Sequence, residues 1–212
     1  MIYFTSDLHF GHNKEFLYKP RGYDSLEEMT KDIIFKWNTT VTDEDDVYIL
    51  GDLMLTDTPI VHDQIKSLKG QLHIICGNHD TERRIELYRT FPNVVEVTYA
   101  KPLKYGKYHF WLSHYPTITS SDDKEGLHKY LINLYGHTHQ SLSPFYYDAI
   151  EYVPWMYNVG LDCHHNRVVS IEQIIVDCEG FWENFNALSV NYRTAEILNE
   201  MLKNSFDKEK KF

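Results

Sequence analysis

Three cysteines, Cys76, Cys163 and Cys178, are too few and too unevenly spaced for a disulfide framework or a thiolate zinc site. They read as buried or half-buried thiols of a protein that works in a reducing compartment. Apolar runs long enough to span a bilayer are also missing, which excludes a helical membrane segment on sequence grounds. Positive charge is scarce, with 21 Lys and Arg against 31 Asp and Glu and a formal net charge of -10. Such a balance argues against a non-specific grip on long nucleic acid, which needs many cationic contacts to phosphates. No basic segment leading into an apolar core is present in Met1–Phe10, which already hold Asp7 and His9. A signal peptide is therefore not expected, and the cytoplasm is the expected location.

What remains is a chain of 212 residues, enough for one domain that buries most of the surface its unfolded form exposes. We read residues 1–204 as that single domain and 205–212 as a charged tail. Aromatic residues make up 15% of the chain, with sixteen tyrosines; core packing is their expected use, stacking platforms the alternative.

Apolar and β-branched runs recur, and each stops at a polar cluster. Ile2-Tyr3-Phe4-Thr5 reads as a strand that delivers Asp7-Leu8-His9, with Phe10-Gly11-His12-Asn13 in the loop beyond. Val47–Leu50 ends in Gly51-Asp52, and Leu72–Cys76 ends in Gly77-Asn78-His79-Asp80. Tyr105-Gly106-Lys107 reads as a hairpin turn whose second strand, Tyr108–Leu112, ends in Ser113-His114-Tyr115-Pro116. Leu131–Tyr135 is followed by Gly136-His137-Thr138-His139, and 158–162 with 167–169 complete the sheet region.

Between these runs lie helix signals. Ser25 with Glu28 forms a capping box ahead of Leu26, Met29, Ile33, Ile34 and Trp37. Thr58-Pro59 opens a helix to about Lys69, and Thr81 a short one to Phe91. An amphipathic helix is expected from Asn184 to about Asn204, carrying Ala187, Val190, Ile197, Leu198 and Met201, and the polar stretch Thr117–Lys129 reads as a loop.

A strand that ends in glycine and polar side chains presents them at the carboxyl edge of a sheet, where ligands collect. Any one of these ends also fits a tight turn with a surface histidine; five in one chain change the balance. Together they supply Asp7, His9, Asp52, Asn78, His79, His114, His137 and His139. Carboxylate, imidazole and amide oxygen without thiolate suit manganese, iron, zinc or nickel. Seven of the eight suffice for two ions if one carboxylate bridges, and Asp52, from a central strand, is the natural bridge.

Asp7-Leu8-His9, Gly51-Asp52, Gly77-Asn78-His79-Asp80, His114 and Gly136-His137-Thr138-His139 resemble, in order, the blocks of the calcineurin-like metallophosphoesterases. The resemblance implies an α/β fold of two packed mixed β-sheets flanked by helices. It implies one divalent ion on Asp7, His9, Asp52 and His139 and a second on Asp52, Asn78, His114 and His137. Manganese is the first expectation for both. Two such ions about 3.5–4 Å apart clamp a phosphoryl group and generate a bridging hydroxide that attacks phosphorus, leaving His79 as the acid that faces the substrate.

Protein serine/threonine phosphatases carry G-D-x-x-D-R-G in the second block, whereas Gly51-Asp52 here runs into Leu53-Met54-Leu55. A phosphoprotein phosphatase is therefore not expected, and Asp80, Asp57 or water is left to orient His79. The first block, His114-Tyr115-Pro116 and Asn158-Val159-Gly160 resemble compact bacterial and phage phosphoesterases instead. The expected activity is hydrolysis of a small phosphate ester, with a nucleotide or cyclic nucleotide diester preferred. A phosphomonoesterase, a nuclease on short single strands and a non-catalytic binding scaffold are the alternatives. His12, Asn13 and Arg83 are candidates for substrate contact; structural hydrogen bonding in the loop and a surface salt bridge are their respective alternatives. Cys163-His164-His165 is not expected to bind a third metal, because adjacent side chains point apart.

Overall fold

A computed structural model describes residues 1–117, 119, 127–139, 141, 143–145 and 155–184. The expected 184–204 helix beyond Asn184, the 205–212 tail and most of the 117–129 loop lie outside the described residues.

The strands are β1 (Ile2–Thr5), β2 (Asp46–Leu50), β3 (Gln71–Ile75), β4 (Val94–Thr98), β5 (Ala100–Tyr105), β6 (Tyr108–Ser113), β7 (Leu131–Tyr135), β8 (Met156–Asn158) and β9 (Val169–Ser170). They form two mixed sheets. In one, ordered β4-β3-β2-β1-β9, the first four strands are parallel and β9 is antiparallel. In the other, ordered β5-β6-β7-β8, a hairpin of β5 and β6 leads into parallel β7 and β8. Because β1, β2, β3, β6 and β7 all bear the motifs at their carboxyl ends, parallel pairing alone gathers the motif residues within each sheet.

The helices are α1 (Glu15–Tyr18), α2 (Leu26–Thr40), α3 (Pro59–Lys66), α4 (Glu82–Tyr88) and α5 (171–184). Ser25 caps α2 as expected, its hydroxyl accepting the Glu28 N–H at 3.1 Å, while Glu28 reaches back to the N–H of Asp24. Helix α3 ends at Lys66 rather than Lys69. There the N–H of Ser67 is shared between the carbonyls of Asp63 and Gln64, a tightening that closes the helix. Helix α5 was not expected. Ser170 accepts the Gln173 N–H at 3.2 Å, which starts the helix, and Ile171, Ile174 and Cys178 on one face are buried.

Period-two alternation divides the core. Val47 and Ile49 of β2 and Leu72 and Ile74 of β3 face one cluster with Met29, Ile33 and Trp37 of α2 and Val61 and Ile65 of α3. Tyr48 and Leu50 turn the other way and meet Phe110 and Leu112 of β6, Ile132 and Leu134 of β7 and the buried face of α5. Full burial of each such aliphatic side chain is worth about 1.5–3 kcal/mol, so the two clusters hold the sheets in register at the site. Among the described residues no helix is long and apolar enough to cross a membrane.

Candidate metal centre

Beyond the last residues of β1 and β2 the chains stay side by side. The N–H of Asp7 donates to Gly51 O, His9 to Asp52 O and Phe10 to Leu53 O, each at 3.0 Å. Ser6 bridges to Gly160, which ties the end of β1 to the segment after β8 and so joins the two sheets at this edge. The loop is held in a costly shape: Asp7, His9, Asp52, His137 and His139 all have φ between 50° and 69°. Left-handed backbone disfavours side chains by roughly 1–2 kcal/mol per residue, and strain of this kind collects at functional sites. Five of the seven expected ligands carry it.

Two of the motif glycines work through space. A Cβ on Gly51, whose φ is +93°, would overlap the His114 ring, and one on Gly77 would overlap the Asp52 carboxylate. Gly77 thus makes room for Asp52 itself.

The donor atoms converge. His9 Nε2 and His139 Nε2 are 3.1 Å apart, and Asp7 Oδ1 lies 3.8 Å from the first and 3.7 Å from the second. Asn78 Oδ1 stands 2.8 Å from His114 Nε2 and 3.0 Å from His137 Nδ1. Asp52 Oδ2 lies between the groups, 3.8 Å from His9 Nε2 and 3.6 Å from His114 Nε2. Asp7 also falls within 4.8 Å of the Asp52 and His114 donors, so it borders both groups. Neighbouring ligands around one divalent ion at about 2.0–2.1 Å sit at roughly these mutual separations.

The donor set fits such ions on its own chemistry. Asp7 Oδ1 is buried with no hydrogen-bond partner among the described residues, and a buried carboxylate oxygen facing two imidazole nitrogens calls for a cation. Burial, with the charge of His139 adding to it, pushes His9 down to about 2, so its ring is neutral and able to ligate. Burial lowers His137 too, helped by His114. Burial likewise raises the Asp52 carboxyl, more than the His79 N–H and His114 lower it. For His139 burial works downward but is outweighed by the hydrogen bond from Nδ1 to Asp162 at 3.0 Å together with the charges of Asp7 and Asp162, and the ring ends raised.

The other expected residues are placed as follows. His79 is 43% exposed, its Nε2 3.9 Å from Asp52 Oδ2, and its backbone N–H donates to Asp52 Oδ1 at 2.9 Å. Neither carboxylate expected to orient it does so. Asp80 Oδ2 accepts the N–H groups of Asp52 and Gly77, its Oδ1 accepts the Tyr88 hydroxyl, and Asp57 pairs with His62 and Arg83. The ring of His12 is 5.6 Å from that of His9, and its Nδ1 is buried without a partner among the described residues. Asn13 is exposed. Arg83, 86% exposed, meets Asp57 at 3.0 Å, whereas Arg84 reaches the backbone carbonyls of His79 and Leu55. Cys163 and His164 turn to backbone oxygens of Asn158 and Gly160. Sequence reasoning missed Asp162 and Arg21, which pair from distant parts of the chain and share no local pattern.

A sequence model described as the calcineurin-like phosphoesterase superfamily domain matches residues 1–179. The uncharacterised protein MJ1445 of Methanocaldococcus jannaschii is 29% identical over 177 residues, 82% of this chain and 89% of its own. The gene 66 protein of Mycobacterium phage D29 is 28% identical over 203 residues, 84% of this chain and 97% of its own. Among solved structures, the protein AQ665 of Aquifex aeolicus, of unknown function, superposes with a TM-score of 0.60 at 20% identity, covering 82% of this chain and 97% of that one.

Proposed function

The chain belongs to the calcineurin-like phosphoesterase superfamily, and we propose that it is a hydrolase acting on a small phosphate ester with two divalent metal ions, a nucleotide or cyclic nucleotide diester being the preferred substrate. One observation carries the reading: five strand ends bring three carboxylate or amide side chains and four imidazoles to one point, with left-handed backbone at five of them.

In this reading Asp7, His9, Asp52 and His139 hold one ion, and Asp52, Asn78, His114 and His137 the other, with manganese the first candidate. When bound, the pair of ions supplies Lewis-acid charge against the phosphoryl oxygens and lowers the pKa of water toward neutrality. His79 stands at the open side, tethered by its own backbone to Asp52 and to Arg84. From there its imidazole donates a proton to the departing oxygen, a contribution of roughly 10²–10⁴ in rate. His12, beside His9, is placed to meet the substrate's substituent. The preference for a diester rests on Leu55-Thr56 standing where protein phosphatases carry their further acidic and basic residues.

The test is turnover of a panel by manganese-loaded protein: p-nitrophenyl phosphate, bis-p-nitrophenyl phosphate and cyclic nucleotides. The proposal expects the diesters to be turned over fastest. Faster monoester turnover overturns the diester preference, and no turnover of any ester overturns hydrolysis.

A further inference from the structure

A guanidinium buried beside a candidate metal ligand needs a reason. Arg21 follows α1, and its side chain is 1% exposed. Burying such a charge costs several kcal/mol unless it is matched closely. The match is a two-toothed fork: Nε donates to Asp162 Oδ1 at 2.9 Å and Nη2 to Asp162 Oδ2 at 2.8 Å. The same Nη2 also donates to the backbone carbonyl of Asp7 at 2.8 Å. Asp162 Oδ2 in turn accepts Nδ1 of His139 at 3.0 Å.

We propose that Arg21 and Asp162 are positioning residues for one of the two ions, the one assigned to Asp7, His9, Asp52 and His139. This rests on the two-ion reading above. Asp162 keeps the proton of His139 on Nδ1, so the lone pair of Nε2 faces His9 Nε2 and Asp7 Oδ1. Arg21 braces the Asp162 carboxylate with its fork and bonds to the carbonyl of the left-handed Asp7, so one guanidinium fixes ligands from the loop after β1 and from the loop after β7. Outer partners that orient a ligating histidine govern metal affinity.

The other ion has separate support. His114 Nδ1 faces the carbonyl of Leu50 at 2.8 Å, and Asp80 Oδ2 accepts the N–H of Asp52 at 2.9 Å. Neither contact runs through Asp162. Loss of the Asp162 carboxylate therefore acts on one ion and spares its neighbour. A role confined to holding loops together, such as the Asn166 side chain bonding to the Arg21 carbonyl at 3.1 Å, would lack that selectivity.

The experiment is manganese titration of the full chain by calorimetry, with metal content by mass spectrometry and electron paramagnetic resonance of the bound ions. Wild type is expected to take two ions that show spin coupling. Asp162→Asn is expected to lose about 10–100-fold in affinity for one ion, to keep the other, and to give the signal of isolated manganese. Arg21→Lys, which keeps the buried charge and loses the fork, is expected to lose less and provides the readout should Asp162→Asn fail to fold. Two unchanged affinities in the variants overturn the assignment, as does an equal fall in both with a lowered unfolding midpoint. A wild type that binds fewer than two ions overturns the two-ion reading instead.

Discussion

The carboxylate of Asp80 accepts the backbone N–H of Asp52 at 2.9 Å, so the last residue of one strand-end motif fixes the middle of another. Its Oδ2 also takes the Gly77 N–H at 2.8 Å, part-buried, and its Oδ1 the Tyr88 hydroxyl at 2.8 Å, which is buried. Asp80→Ala strands three donors at once, two of them buried. A single unsatisfied buried donor costs about 1–3 kcal/mol, so urea denaturation should find this variant destabilised by more than about 2 kcal/mol. Tyr88→Phe, which removes one bond, should cost about 1 kcal/mol. Equal stabilities of Asp80→Ala and wild type would show that the two strand ends hold together without it.

His79 has the exposure of a group that meets substrate, and its backbone rather than its ring is what the protein ties down. His79→Asn should lower kcat by roughly 10²–10⁴ and leave metal content unchanged, measured side by side on the preferred ester. Undiminished turnover would remove His79 from the reaction.

Gly51 and Gly106 both have positive φ, at +93° and +56°, but differ in what surrounds them. A Cβ at Gly106 meets nothing within 4 Å, while at Gly51 it meets the His114 ring. Gly106→Ala should therefore cost about 1 kcal/mol of backbone strain and leave metal binding alone. Gly51→Ala should cost more and weaken metal binding as well, because His114 must move. Thermal melts with and without manganese separate the two effects, and an equal response of both variants would contradict the packing argument.

Strand ends and the polar side chains that gather beyond them were legible because both follow local rules. Apolar runs that stop at Gly and polar residues mark where a strand delivers its side chains, and Gly51-Asp52, Gly77-Asn78-His79 and Gly136-His137-Thr138-His139 obey that rule. Arg21 and Asp162 do not, since their pairing joins residues from distant parts of the chain through tertiary structure alone. Helix α5 was legible and overlooked: Ser170 and Gln173 have capping-box spacing, and Ile171, Ile174, Ile175 and Cys178 follow at helical intervals. Asp80, one of the partners expected for His79, is its neighbour in sequence but turns inward to Gly77 and Asp52.

Because Asp7, His9 and Asp52 keep strained backbone around buried donor atoms, metal should stabilise the fold. Ions at about 100 times their dissociation constant add about 2.7 kcal/mol per site. Treatment with a chelator should lower the melting temperature and abolish turnover, and re-addition of manganese should restore both. A melting temperature that ignores the chelator would contradict metal binding at this cluster.

The central claim is that one carboxylate serves two cations. Anomalous diffraction from manganese-soaked crystals tests it most directly. Two peaks are expected, with Asp52 contacting both, His9 and His139 on one side and Asn78, His114 and His137 on the other. One peak, or two that share no Asp52 oxygen, would contradict the account.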